Sequence, residues 1–383
     1  MLIDRKGRKY MKDVMGLIYT GENDARLREL TVTRAIAAMP VAGRYRVIDF
    51  LVSSMVNGGM KNIGVITQKN YHSLMDHLGS GKEWDLHGKN NGLHILPPFL
   101  TRENVGLYPG LLDALRSNSN FFVRSKQETL VLSNSNIIYN AHLDELVQYY
   151  QDTNADITLL YTTDPGMKRD EYGTYLAIDK SGNVTDVEVQ PTHPGYENVF
   201  MEVMVIKREL IKDLVDKAVS HGLHSMDRDI ILRLVQDKSA KVNAYEYKGK
   251  CWQIDSVQSY FRFNMDILDP EMRKGLFRDD LPVFTKVRDE MPACYGDDAT
   301  VINSLVADGC QIEGTVENSV LFRGVKIAAG AHVKNCIIMQ DGQAHEGAYI
   351  ENCILDKQAV IKRNAKLIGP EAYPIVIGKD VVI

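Results

Sequence analysis

The sequence predicts an α/β protein in two parts, a domain with a mostly parallel sheet followed by a left-handed parallel β-helix. Over the first 268 residues, short uninterrupted apolar runs alternate with stretches of helical spacing, as expected for a sheet covered by helices on both faces. The first run, residues 14–18, leads into a loop at Gly21, where such sheets hold a phosphate. After residue 300, apolar residues recur every six positions, which is typical of a β-helix.

Composition narrows the possible partners and compartments. With 383 residues, 44% of them hydrophobic, the chain can form two or more cores. A formal net charge of −5 argues against nucleic acid and against anionic membranes as partners. Because no apolar run approaches a membrane span and the first residues lack a signal segment, we expect a cytoplasmic protein. The five dispersed cysteines lack metal-ligand spacing and are expected to be buried thiols.

The apolar runs and the helical spacing place the elements of the first domain in order. Strands are predicted at residues 14–18, 62–67, 93–97, 129–133 and 155–161 and in the runs 172–175 and 184–191. Helices are predicted at residues 26–38, 44–57, 71–78 and 108–117.

The first loop has the frame of a nucleotide site and an interior unsuited to one. Backbone N–H groups approach a pyrophosphate closely only where glycines leave room, and here Gly21 is followed by Glu22, Asn23 and Asp24. Each carboxylate held at roughly 4 Å from a phosphate charge costs about 1 kcal/mol even in water. The loop therefore repels the group that its position would bind.

Residues 19–50 resemble the signature of sugar-nucleotide pyrophosphorylases, specifically the bacterial ADP-glucose pyrophosphorylase (glucose-1-phosphate adenylyltransferase) family. The positions that match in register are Gly21, Arg26, Leu27, Leu30, Thr31, Arg34, Ala35, Ala38, Pro40, Gly43, Arg46, Ile48, Asp49 and Phe50. The resemblance is closest to the non-catalytic, GlgD-type subunits, which partner catalytic GlgC-type subunits in certain bacteria. It implies a Rossmann-like nucleotidyltransferase domain, with Gly21 and Arg26 as remnants of the nucleotide loop.

The chain differs from this family at the positions where the family binds its nucleotide, metal ion and sugar phosphate. Glu22 and Asp24 replace loop glycines, and Ile36 replaces a lysine. Ser135 occupies the position at which the family has a metal-binding aspartate. A neutral hydroxyl is a poor ligand for a hard cation such as Mg²⁺. Gln190 replaces the lysine that binds the phosphate of glucose 1-phosphate.

Further departures affect the pockets for sugar and base. Glu202 replaces a glycine beside the sugar. Asp255 is the only acid left near the second metal aspartate, and it is displaced by a deletion. Leu111 and Leu112, with Phe99 and Leu100 nearby, bring bulk where the family binds adenine. These coordinated losses predict no catalytic residues, no metal and no bound cofactor in this chain, with Mg²⁺ held by the catalytic partner.

Basic residues and histidines near the loop allow further expectations. Arg34 and Arg46 match positions where the family binds phosphorylated effectors, and Arg44 stands beside them, so an anion site is predicted. A second interpretation, nearly as good, is that these arginines form a solvated basic surface with no ligand. His72 and His77 lie five apart, which does not suit a metal pair on a helix, and we expect structural roles for them.

The C-terminal part is expected to serve assembly. We place the α/β domain at residues 1–268, a linker at 269–299 and the β-helix at 300–383. Residues 340–349 break the six-residue pattern and are predicted to form an insertion or loop. In the family this domain packs between subunits of a tetramer.

Three functions remain open from the sequence. The first is a regulatory, catalytically impaired subunit of a hetero-oligomeric glucose-1-phosphate adenylyltransferase, expected in a heterotetramer with a GlgC-type subunit or as a homo-oligomer alone. The second is a weak or divergent nucleotidyltransferase that uses Asp24 or Asp255, for which Ser135 is the discriminating residue. The third is a stand-alone binder of sugar phosphate or glucan, against which Gln190 and Glu202 argue.

Overall fold

The structure is a computed structural model, and it describes residues 11–88, 91–98, 107–167 and 172–383. The strands of the α/β domain are β1 (Val14–Tyr19), β2 (Pro40–Val41), β3 (Tyr45–Arg46), β4 (Ile63–Ile66), β5 (Leu93–Leu96), β6 (Thr129–Asn134), β7 (Ile137–Ile138), β8 (Ile157–Thr162), β9 (Thr174–Ile178), β10 (Val184–Val189), β11 (Asn198–Lys207), β12 (Val242–Glu246) and β13 (Trp252–Gln253). Its helices are α1 (Val47–Asn57), α2 (His72–Leu78), α3 (Leu111–Ser117), α4 (Ser119–Arg124), α5 (Leu143–Thr153), α6 (Arg208–Ser220), α7 (Leu232–Gln236), α8 (Val257–Asp266) and α9 (Pro270–Leu276).

A nine-stranded sheet forms the centre of this domain. Strands β6, β1, β4 and β5 lie side by side and parallel, and β11 joins β6 in the antiparallel sense. Along β1, Val14 and Ile18 enter one core while Met15 and Leu17 enter another, because successive side chains point to opposite faces. The uninterrupted apolar runs therefore belong to strands buried on both faces, as the sequence predicts.

The segment after the first loop differs from its prediction. The sequence predicts a helix over residues 26–38, whereas the structure has 3₁₀ turns at Ala25–Thr31 and Ile36–Ala38, with Arg28 at φ 49°. Leu27 and Leu30 are fully buried against the face of α8, so tertiary packing overrides the helical composition.

Residues 277–286, which we call the strap, are bonded to the α/β domain along their backbone. Asn140 Nδ2 donates to the carbonyl of Leu281 at 2.7 Å and, just before the strap, to that of Leu276 at the end of α9 at 2.9 Å. Asn57 Nδ2 donates to the Pro282 carbonyl at 2.9 Å, and the N–H of Phe284 donates to Ser53 Oγ at 2.9 Å. The strap leads to the β-helix, whose first strand begins at Cys294.

Short parallel strands build the β-helix in stacked coils. They are β14 (Cys294–Tyr295), β15 (Thr300–Ile302), β16 (Leu305–Val306), β17 (Gln311–Ile312), β18 (Thr315–Glu317), β19 (Val320–Leu321), β20 (Lys326–Ile327), β21 (His332–Ile338), β22 (Gln343–Ala344), β23 (Tyr349–Leu355), β24 (Val360–Ile361), β25 (Lys366–Ile368) and β26 (Ile375–Ile377). Thr315, His332, Tyr349 and Lys366 align across neighbouring strands, so these coils repeat after 17 residues.

Two expectations for this part of the chain are wrong. Residues 340–349 form no insertion, because Gln343–Ala344 is a strand paired with β20 and β24. Ala344 and Ala348 are buried, and their small side chains fill inward positions that the apolar pattern does not reveal. Of the five cysteines, Cys294 is exposed and the other four are buried.

An asparagine ladder marks one corner of the β-helix. Asn303, Asn318, Asn335 and Asn352 all have left-handed φ values, between 43° and 52°. Asn303 Nδ2 donates to Asn318 Oδ1 at 2.8 Å, and Asn335 Nδ2 donates to Asn352 Oδ1 at 3.1 Å. Asparagine tolerates this conformation better than most residues, so the ladder fixes where each coil turns.

Candidate functional site

The loop that follows β1 is filled by the chain's own side chains. Gln68 Nε2 donates to Tyr19 Oη at 2.8 Å, and both groups lie directly against Gly21, where an added Cβ would come within 2.7 Å of each. Burial raises the pKa of the Tyr19 hydroxyl. The space that a loop glycine usually leaves for a ligand is therefore occupied by the Tyr19–Gln68 pair.

Glu22 turns inward from the same loop and contacts the end of β6. Its carboxylate accepts hydrogen bonds from the backbone N–H of Ser135 and, at 2.8 Å, from Ser135 Oγ. Burial raises the pKa of Glu22 to about 7, and repulsion from Glu202 adds to the rise. Ser135, which the family resemblance places on the metal aspartate, is thus a donor to a carboxylate from the loop.

Glu202 and Gln190 also have partners within the chain. Glu202 adopts φ 54° at an irregularity in β11, and its Oε2 accepts from Asn134 Nδ2 at 2.6 Å. Gln190 adopts φ 53° and its Oε1 accepts from Arg228 at 3.4 Å. Both residues occupy the strained left-handed region that glycine would adopt freely.

The acids that could replace a metal ligand are paired with cations. Arg26 Nη1 lies 3.0 Å from Asp255 Oδ2, and its guanidinium sits 4.5 Å above the centre of the Tyr172 ring. Asp24 Oδ1 lies 2.7 Å from Lys69 Nζ. The described residues contain no cluster of three or more His, Cys, Asp or Glu side chains able to hold a metal.

The residues at this site do not fit Mg²⁺. The cation requires several oxygen ligands in near-octahedral geometry, preferably anionic, and Ser135 contributes a hydroxyl already bonded to Glu22. Ile36, at the position of a family lysine, is buried in the core with Leu27 and Leu30. Phe99 and Leu100 lie outside the described residues.

A second site lies between the α/β domain and the β-helix. The cations that line it, together called the basic cleft, are Arg44, Arg46, Lys286, Arg288, Arg323 and Lys357. Each structural part of the chain contributes. Arg44 precedes β3 and Arg46 is its last residue, Lys286 ends the strap with Arg288 following, and the other two cations belong to the β-helix.

The electrostatics of the basic cleft are such that an anion would be favourable there. Burial and the neighbouring Arg46 lower the pKa of Lys357 to about 8. Burial lowers the pKa of Arg46 to about 10, although its Nη1 donates to the Ser73 carbonyl at 2.7 Å and to Ser73 Oγ at 2.8 Å. Arg323 has Nε and Nη2 buried with no hydrogen-bond partner among the described residues. An anionic ligand would relieve both the repulsion and the unmet hydrogen bonds.

The three arginines expected to form an anion site are divided by the structure. Arg44 and Arg46 line the basic cleft, whereas Arg34 does not. Arg34 Nη2 lies 2.8 Å from Asp356 Oδ1, and both side chains are at most 3% exposed, so this pair joins the α/β domain to the β-helix. The remaining cations of the cleft were missed because they lie more than 200 residues away in the sequence.

The two histidines have separate roles. His77 Nε2 is 2.5 Å from Asp49 Oδ1 of α1 and both side chains are buried, which agrees with the expected structural role, and His77 also lines the basic cleft. His72 is exposed and stacks on Tyr71. In the part of the chain that the structure describes, we find no helix with the length and apolar character needed to cross a membrane.

Comparisons with known proteins agree with this architecture. Residues 15–270 match the nucleotidyl transferase family model, and residues 291–372 match the model of the GlmU-like C-terminal hexapeptide domain. The glycogen biosynthesis protein GlgD of Bacillus subtilis (strain 168) is 33% identical, over 97% of this chain and 98% of its own.

Enzymes of the same group are similar over most of their length. The glucose-1-phosphate adenylyltransferase of Geobacillus stearothermophilus is 30% identical over 84% of each chain. That of Clostridium perfringens (strain 13 / Type A) is 29% identical over 97% of this chain and 95% of its own. The chain therefore belongs to the nucleotidyl transferase family, in the group that comprises the glucose-1-phosphate adenylyltransferases and the glycogen biosynthesis protein GlgD.

Proposed function

We propose that this chain is a regulatory, catalytically impaired subunit of a hetero-oligomeric glucose-1-phosphate adenylyltransferase in the bacterial cytoplasm. The complex would convert ATP and glucose 1-phosphate to ADP-glucose and diphosphate for glycogen synthesis. A catalytic GlgC-type subunit would hold Mg²⁺ and perform the chemistry. The observation that supports this most directly is the Glu22 carboxylate bonded to Ser135, at the position where catalysis requires a metal.

Electrostatics oppose catalysis by this chain itself. A nucleoside triphosphate would have to displace Glu22 from Ser135 and then lie near Glu202. At about 4 Å and an effective dielectric constant near 20, each like-charge pair costs about 4 kcal/mol. Gln190 offers an amide where charge-assisted binding of the sugar phosphate would need an ammonium group.

Regulation would act through the basic cleft. A phosphorylated small molecule bound there would contact the α/β domain, the strap and the β-helix together. Such a ligand favours the arrangement in which all three sets of cations converge, and this preference can be passed to a partner subunit. The effector site is therefore proposed at Arg44 and Arg46 with the cations of the β-helix, and without Arg34.

The test is adenylyltransferase activity of this chain alone, of a GlgC-type partner alone, and of the two co-purified. We expect the lone chain to be inactive and the mixture to exceed the partner in turnover or in effector response. Replacing Arg44 and Arg46 by alanine should abolish the added effector response, whereas Arg233→Ala, an exposed arginine elsewhere, should preserve it. Mg²⁺-dependent turnover by the lone chain would instead establish the divergent-enzyme alternative.

A further inference from the structure

A second polar cleft lies at the opposite edge of the sheet from the first loop. It has a volume of about 780 Å³, and it opens beside the amino ends of the parallel strands β4, β5 and β6. We call it the amino-edge cleft, and its principal lining residues are Asn62, His94, Phe121, Arg124, Lys126 and Gln127. No carboxylate is among the described residues that line it. Its volume is in the range of small-molecule sites.

The wall of this cleft is held in place by a hydrogen-bond network. Asn62 Nδ2 donates to Ser125 Oγ and to Gln127 Oε1, both at 3.2 Å, and Ser125 Oγ donates to the Phe121 carbonyl at 2.8 Å. From behind, Arg208 Nη1 donates to the carbonyls of Ser125 and, at 3.2 Å, Gln127. A polar wall fixed in this way is preorganised for a ligand.

The open part of the cleft combines an aromatic corner with two cations. The rings of His94 and Phe121 lie 5.3 Å apart at an interplanar angle of 54°. Partial desolvation lowers the pKa of His94, which favours the neutral ring. Arg124 and Lys126 are exposed, and within the described ranges neither has an ion-pair partner.

We propose that the amino-edge cleft binds a phosphorylated hexose. Arg124 and Lys126 would hold the phosphate, the more exposed amides of Asn91 and Asn120 in the lining would bond sugar hydroxyl groups, and the apolar face of the sugar would pack on Phe121. Because the His94 and Phe121 rings are tilted by 54°, they form no parallel stacking surface for a flat base, and a chair-shaped sugar ring is the better match. This site is independent of the basic cleft and of the proposed regulatory function.

The test is a titration of the full-length chain followed by NMR of ¹³C-labelled histidine, with the His94 signal assigned through His94→Gln. Glucose 6-phosphate should shift the His94 signal saturably, and the double variant Arg124→Ala/Lys126→Ala should weaken binding about tenfold or more, because two charge-assisted contacts are lost. The matched control Lys362→Ala/Arg363→Ala removes two exposed cations of the β-helix and should bind like the parent.

Competing ligands decide the chemistry. Glucose and inorganic phosphate should each bind at least tenfold more weakly than glucose 6-phosphate. A saturable shift with a phosphorylated maltooligosaccharide and none with glucose 6-phosphate would identify the ligand as a phosphorylated glucan. A shift with glucose 6-phosphate and none with the maltooligosaccharide would identify it as a free sugar phosphate. Either result supports the site. A His94 signal unmoved by both ligands, unchanged affinity in the Arg124/Lys126 variant, or tighter binding of ADP would overturn the proposal.

Discussion

Replacing Glu22 by glutamine should stabilise the α/β domain, and the gain should grow as the pH rises. The folded state holds Glu22 at a pKa of about 7, above its usual value of 4.5. Between these values the folded chain binds a proton that the unfolded chain has released, so stability falls as the pH rises through this window. A shift of that size corresponds to about 3 kcal/mol, and we expect about 2 kcal/mol of it to be measured because relaxation of the loop lessens the cost of the buried charge.

Glutamine keeps the oxygen that accepts from Ser135 and removes the buried charge. We therefore expect the variant to be about 2 kcal/mol more stable than the parent at pH 8 and within about 1 kcal/mol of it at pH 5. Urea unfolding followed by the fluorescence of Trp84 and Trp252, both buried in this domain, measures the difference. Glu371→Gln, at an exposed site in the β-helix, should have no such effect. Equal effects of Glu22→Gln at both pH values would refute the buried-charge argument.

Three more predictions concern the β-helix and its junction. Arg34→Met should cost about 3–5 kcal/mol in urea unfolding because it strands buried Asp356, and Arg34→Met/Asp356→Leu should recover much of this loss; a double variant no better than the single one would contradict it. Sulfate binding to the basic cleft, followed by calorimetry, should weaken as the pH rises past about 8, where Lys357 loses its proton, and Lys357→Arg should remove this dependence. Asn335→Ala should cost about 1–2 kcal/mol in thermal unfolding, and Asn335→Gly less, because glycine retains the left-handed φ; the opposite order would argue against the ladder.

The strands of the first domain were predictable because a strand buried on both faces is an uninterrupted run of apolar residues. The apolar runs at residues 14–18 and 129–133 became β1 and β6, which lie side by side in the sheet. The segment at residues 26–38 was not predictable, because its conformation follows from Leu27 and Leu30 packing under α8, a contact with residues more than 200 positions away. Local composition alone favours a helix there.

In the β-helix, the apolar period predicted the fold and missed one coil. Alanines can fill an inward position without raising the hydrophobic pattern, as Ala344 and Ala348 do. A better signal was present in the repeated pairs Asn303-Ser304, Asn318-Ser319, Asn335-Cys336 and Asn352-Cys353, which mark the turning corner of each coil.

The sequence could identify which positions of the catalytic site had changed, but not what their side chains do. That Glu22 would bond to Ser135, and Arg26 to Asp255, depends on how the loop folds back over the sheet. The basic cleft was still harder to foresee. Its cations come from separate stretches of the chain, and only the packing of the β-helix against α8 and the strap brings them together.

The strap has a consequence for building chimeras between this chain and its relatives. A junction at residue 292 would keep the hydrogen bonds from Asn57 and Asn140 to the strap, so in the hybrid the strap would remain bonded to the α/β domain. The same junction would exchange Arg323 and Lys357 while leaving Arg44 and Arg46 in place. Under the proposed function, effector preference in such hybrids should therefore be a joint property of both parents. A graft must also supply an acid opposite Arg34, where Asp356 stands in this chain, to remain stably folded.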